Sequence, residues 1–160
     1  MTYPPNSELV AVAWIGTVGD MPAGAVSLQL PKDPAVWEAN GFVTVGGPGA
    51  GPGVGSGGVI GGAPDWYVQT RHPVLSVHTW ANASGSARPP WGKAATLAEY
   101  IVAGCNDEDT IRRTLSLPTG YGSARVNEAY PLTEPRRVPG DMSGYAHFQM
   151  DLQLHWVALA

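Results

Sequence analysis

The clearest pattern along the chain lies near its C-terminal end, where Phe148, Met150, Leu152, Leu154 and Trp156 alternate with His147, Gln149, Asp151, Gln153 and His155. A period of two sends these two sets to opposite faces of an extended segment, so the pattern predicts a long strand with one buried face. Residues 74–81 carry apolar side chains in both registers, Leu75 and Val77 in one and Val74 and Trp80 in the other, which predicts a central strand covered on both sides. Residues 42–45 and 124–130 read as further strands, and 26–30 as a short one stopped by Pro31. Residues 67–70 are strand-like and are separated from the 74–81 run by Pro73.

Helical spacing appears twice. Leu9, Val10, Ala13, Trp14 and Val18 recur at intervals of three or four behind Asn6 or Ser7 as the cap, with Glu8 in the first turn, and Gly16 and Gly19 end the helix near Asp20. Ala94, Leu97, Ala98, Ile101 and Val102 form the stripe of the main helix, approached through the stiff sequence Arg88-Pro89-Pro90-Trp91-Gly92-Lys93 and closed by Gly104. A short helical turn is predicted over 33–38, with Asp33 as cap and Pro34 in the first helical position. Asp107-Glu108-Asp109 either opens another turn running through Leu115 or forms a solvated loop, and Pro118 ends it. The stretch holding Pro131, Pro135, Pro139 and Gly140 reads as a loop.

Residues 46–62 are almost all glycine, proline and small side chains. Ordering glycine costs the most backbone entropy, and little in this stretch can be buried in return, so an extended loop is expected, ordered against a neighbour if at all. The element order is then helix, two strands, glycine loop, strand, main helix, strand, strand. Strands and helices do not alternate regularly, which argues against a doubly wound parallel sheet. The expected fold class is α+β: a mostly antiparallel sheet of about four to five strands with helices packed on one face, in one domain spanning 1–160.

Composition bears on partners. Charged residues are 14% of the chain, against an ordinary share of about 25%. Such a surface leaves much uncharged area of the kind that partners cover. The net charge is −4, and Lys32 and Lys93 are the two lysines. An acidic chain without a basic cluster is a poor candidate for gripping phosphates, although it is compatible with standing beside DNA. The single cysteine, Cys105, allows no intrachain disulfide and reads as a half-buried small residue. The N-terminus shows no basic n-region or cleavable apolar stretch, and no run approaches the roughly 18 apolar residues of a membrane span, so a protein made and used in a cytoplasm, without a membrane, is expected.

Local motifs for chemistry do not hold up. Residues 53–58 match Gly-x-Gly-x-x-Gly, but Val59-Ile60-Gly61-Gly62-Ala63-Pro64 follows and cannot be the helix whose amides meet a pyrophosphate. Gly92-Lys93 precedes Ala94 rather than Ser or Thr, so there is no phosphate loop, and Ser56 lacks the spacing of a nucleophile elbow. His147 and His155 share a strand face but stand eight residues apart, too far along one strand for a shared ligand shell. His72 and His78 are also distant locally, and Asp107, Glu108 and Asp109 lack calcium-loop spacing. No catalytic, cofactor-binding or metal-ligating residue is assigned, and the chain reads as a non-enzyme.

Four segments together carry a resemblance. They are Pro31–Trp37 with Gly41–Val45; Val77–Ala81 leading into Arg88–Ala94; Ala124-Arg125-Val126 with Tyr130–Pro139; and Gly144–Trp156. In this order and spacing, over most of the chain, they resemble tail-terminator proteins of actinobacterial siphophages. The glycine stretch is longer and simpler than in that group. The resemblance implies an α+β subunit forming a homohexameric ring in the virion neck. The ring would cap the tail tube, end its polymerisation and join it to the head connector, with DNA passing through the lumen without specific binding. The implied partners are further copies of the chain, the tail tube protein and the head–tail connector proteins, assembled in the host cytoplasm. On this reading the glycine loop, around Gly51 and Gly55, is a candidate reaching arm, and Arg136 and Arg137 a candidate inter-subunit salt-bridge pair unless they lie in a solvated loop. Pro89, Pro90 and Trp91 either pack the main helix or contact a partner. The alternatives are a head-completion or neck adaptor protein, or a tube subunit. From other classes, they are a small ligand-binding module or a small enzyme with a pocket beside the glycine loop.

Overall fold

The computed structural model describes residues 2–48, 70–83, 88–139 and 144–159. The chain is α+β. Helix α1 (Ser7–Ile15) is followed by β1 (Val26–Ser27) and β2 (Phe42–Pro48), then by β3 (Thr70–Arg71) and β4 (Val74–Asn82). Helix α2 (Trp91–Cys105) leads to β5 (Thr114–Leu115), β6 (Ala124–Pro131), β7 (Arg136–Arg137) and β8 (Tyr145–Ala158). Among the described residues these strands form one eight-stranded sheet in the order β1-β2-β4-β8-β6-β5, with β3 and β7 also pairing to β8. All pairings are antiparallel except β1 with β2.

Four long strands, β2, β4, β6 and β8, correspond to the four strongest strand patterns in the sequence. The additional strands are two residues each, too short to show a period. Several expectations need correction on this account. Pairing in the 26–30 stretch ends at Ser27, and Leu28 is exposed. The proline-rich loop contains β7, because Arg136 and Arg137 pair with Gln149 and Phe148. A short 3-10 turn, Glu108–Thr110, does open at Asp107, but the chain is extended again by Thr114. The sequence pattern placed Gly104 at the end of the main helix, and α2 does end there, one residue later at Cys105, with Gly104 buried in its last turn. It is tolerated there because Val18 packs so closely that a Cβ on Gly104 would sit 2.7 Å from a Val18 methyl carbon.

β8 is the spine of the sheet, pairing with β4 along nine residues and with β6 along seven. Its inward row is the one the alternation predicts: Met150, Leu152, Leu154 and Trp156 are buried, each at most 1% exposed. Burying side chains of this size contributes about 1.5–3 kcal/mol apiece, which is why the register of β8 is strongly specified. Leu75 and Val77 of β4, Val43 and Val45 of β2 and Val126 of β6 join them on the same face. Both helices cover that face, α1 through Val10, Ala11, Trp14 and Ile15 and α2 through Leu97 and Ile101.

Side-chain hydrogen bonds hold the helices in place. Asn6 caps α1 by accepting from the Leu9 amide at 2.9 Å. Trp14 donates to the Thr110 carbonyl at 3.0 Å and Trp156 to the Ser7 hydroxyl at 3.2 Å. α2 has no side-chain cap, and Pro90 stands at its N-cap. Lys93 instead ties its first turn to the preceding layer by donating to the carbonyls of Glu38 and Ala39. Gly41, at φ +77°, gives the turn into β2 a backbone conformation that other residues adopt only with strain, and a Cβ there would meet Leu97 and the Trp80 carbonyl.

Candidate functional site: the open sheet face and the Trp91 corner

The face of the sheet turned away from the helices carries the second set of the alternating pattern. β4 contributes Val74, Ser76, His78 and Trp80, and β8 contributes His147, Gln149, Asp151, Gln153 and His155; all are partly buried. The sequence predicted a β4 covered on both sides. It is indeed internal, between β2 and β8, but this face is only half covered among the described residues.

Antiparallel pairing sets Trp80 opposite His147 and His78 opposite Gln149, so the two imidazoles become diagonal neighbours. His78 Nδ1 lies 2.7 Å from His147 Nε2. His78 Nε2 lies 3.0 Å from the Ser76 hydroxyl, which accepts from Gln149 Nε2 at 2.9 Å. The Trp80 indole stacks on the His147 ring, with centroids 3.8 Å apart and planes 9° from parallel, and its N–H donates to Thr44. Both imidazoles are therefore held in plane and in rotamer. Burial, and then the charge of His78, holds His147 down at about 4. Burial also lowers His78, against the raising effect of Asp151 and with a lowering contribution from Arg136. A second pair forms further along β8: the rings of His72 and His155 are 4.1 Å apart. His155 also meets Glu128 at 2.9 Å. Burial, then His155, lowers His72, while Glu128 opposes the shift.

All four histidines of the chain thus fall into two cross-strand pairs on one face. Spacing within a single strand does not show this, because the partners come from β4 or its approach and from β8; the signal lies in the register between strands. No group of three or more histidine, cysteine or acidic side chains that could enclose a metal forms among the described residues.

At one end of the helix-covered face, Ala81, Ala94 and Ala146 form a small second core that Trp91 and Phe148 cover. Phe148 meets Trp91 edge-on at 6.0 Å. The Arg137 guanidinium sits over the Trp91 ring, 3.6 Å from its centroid. Arg136 and Arg137 are exposed on β7, and alternation sends them to opposite faces: Arg137, opposite Phe148, to the Trp91 corner and Arg136, opposite Gln149, to the histidine face. The structure therefore brings Arg137 and Trp91 together and separates Arg136 from both. Pro89 and Pro90 precede Trp91 at the start of α2, with both partly buried. Gly51 and Gly55 lie outside the described residues.

Among the described residues, surface grooves lie elsewhere. One of about 450 Å³ is lined by Cys105, Asn106, Asp107, Glu108, Ile111 and Arg112. Burial pushes the Cys105 thiol up to about 12, so at neutral pH it is no thiolate nucleophile. Another, about 600 Å³, runs between residues 2–5, 121–123 and 158–159 and is lined by aromatic, proline and small side chains.

No family model and no curated protein matches the chain. Among solved structures, a chain from the virion of a native gene transfer agent particle is similar with a TM-score of 0.51. The likeness covers 96% of this chain and 100% of that chain at 12% sequence identity. At that identity it is a likeness of fold.

Proposed function

We propose that this chain is a structural virion protein that acts as a tail terminator, a ring-forming subunit that caps the tail tube, stops its growth and joins it to the head connector while DNA passes through the lumen. The observation that carries the reading is the fold likeness to a virion chain, which takes in nearly the whole of both molecules. The four sequence segments that resemble tail terminators supply the finer assignment. They include Trp91 and most of β8, the spine of the sheet.

A closed ring needs a heterologous interface, in which one surface of a subunit meets a different surface of the next. The exposed Arg136, beside the histidine face, is the arginine free of the Trp91 corner and is our candidate for the inter-subunit ion pair. Electron microscopy of particles lacking the gene tests the assignment. Overlong tails unattached to heads are the expected result. Tailless heads beside normal free tails would move the protein to a head-side adaptor, and complete loss of tails would make it a tube subunit. Full-length tails assembled by an Arg136→Glu, Arg137→Glu variant would remove the arginines from the interface.

A further inference from the structure

We propose that His78 and His147 form a two-histidine site for a late first-row divalent cation such as Zn²⁺ or Ni²⁺, bound through His78 Nδ1 and His147 Nε2. These two nitrogens already converge at 2.7 Å across a hydrogen bond, and binding a cation between them requires His147 to carry its proton on Nδ1 instead of Nε2. Two imidazole nitrogens at about 2.0–2.1 Å from a tetrahedral ion stand roughly 3.3 Å apart, each bond to the ion about 35° off the line between them, so the pair must open by about 0.6 Å and both rings must turn from their hydrogen-bonded aim. Imidazole nitrogen is a good ligand for this class of ion.

The surroundings are those of a supported ligand pair. A metal-bound histidine is normally oriented by a hydrogen bond from its other ring nitrogen. For His78 that bond is already present, from Nε2 to the Ser76 hydroxyl at 3.0 Å, and Gln149 fixes the hydroxyl in turn. Trp80 lies flat on His147 at 3.8 Å and sets its plane. With two protein ligands, water or a donor from outside the chain would complete the coordination; both imidazoles are partly buried. The site stands apart from the Trp91 corner and does not depend on the chain being a tail terminator.

The test is a calorimetric titration of the full chain with Zn²⁺ at pH 7.5, with histidine ring signals followed by NMR. One saturable equivalent is expected, shifting the His78 and His147 signals and reversed by EDTA. His78→Ala and His147→Ala should each weaken binding at least tenfold. Ser76→Ala, which removes the orienting hydroxyl, should weaken it about tenfold. His155→Ala, in the other histidine pair, should leave it unchanged. Should His78→Ala disturb folding, His78→Asn supplies an amide near the Nδ1 position and keeps a polar partner for His147, and it should still lose most of the affinity. Absence of saturable binding would overturn the proposal. So would binding that survives His78→Asn or disappears in His155→Ala.

Discussion

Arg136 and Arg137 are neighbours in sequence, yet the structure gives them different work, and replacing each alone separates the two roles. The Arg137 guanidinium lies 3.6 Å from the centre of the Trp91 ring. A cation over an aromatic face at an exposed site contributes about 0.5–1 kcal/mol. An arginine held over an aromatic ring also loses the apolar contact of its methylene stem when truncated, which adds a few tenths more. Arg137→Ala should therefore lower stability in urea by about 1–1.5 kcal/mol, whereas Arg136→Ala should stay within about 0.5 kcal/mol of the parent, as surface changes usually do. Trp91→Leu keeps an apolar cover over Ala81, Ala94 and Ala146 but removes the π face. The double variant Arg137→Ala, Trp91→Leu then yields a coupling energy, expected at about 0.5–1 kcal/mol. Effects that simply add, to within about 0.3 kcal/mol, would refute the reasoning, because the contact would then contribute nothing to the isolated chain. The same variants bear on assembly. If Arg137 is occupied within its own subunit, charge reversal at Arg136 should produce the larger assembly defect.

Two further outcomes follow from the packing and from the histidines. Gly104→Ala gains about 1 kcal/mol of helix propensity but drives a Cβ to 2.7 and 2.9 Å from the two methyl carbons of Val18. Rotating a β-branched side chain only exchanges one methyl for the other, so a net loss of about 1–2 kcal/mol is expected, and Gly104→Ala, Val18→Ala should recover most of the clash; a thermal melt showing Gly104→Ala at or above the parent would refute it. Because burial and His78 hold His147 at about 4 in the fold, against 6.5 for the free side chain, the unfolded chain binds more protons between these values. Stability should accordingly be fully present above pH 6.5 and fall as the pH drops towards 4, by on the order of 1 kcal/mol once the partial exposure of the ring is allowed for. His78, lowered by burial and Arg136 and raised by Asp151, contributes in the same direction. Urea midpoints against pH should show a slope that His147→Gln reduces, and an unchanged slope would place the titration elsewhere.

Much of the fold was legible in the residues themselves. β8 announces itself because a strand with one buried face must alternate, and the α1 cap because Asn6 serves the amide of Leu9, three residues away. The α+β class follows from the order of such elements. What depended on tertiary structure was everything decided between elements. The two-residue strands exist only because β2, β6 and β8 offer backbone partners to segments with no period of their own. Gly104 reads as a helix stop and does lie in the last turn of α2, but that no side chain fits there is decided by Val18, from the segment after α1, which occupies the space. The histidine pairs follow the same logic: eight residues separate His147 from His155 along β8, while one antiparallel register sets His147 against His78 and another brings His155 to His72. Periodicity is a local property and is written in the sequence. Register is the sum of many weak contacts between distant segments, and only the folded sheet determines which side chains meet.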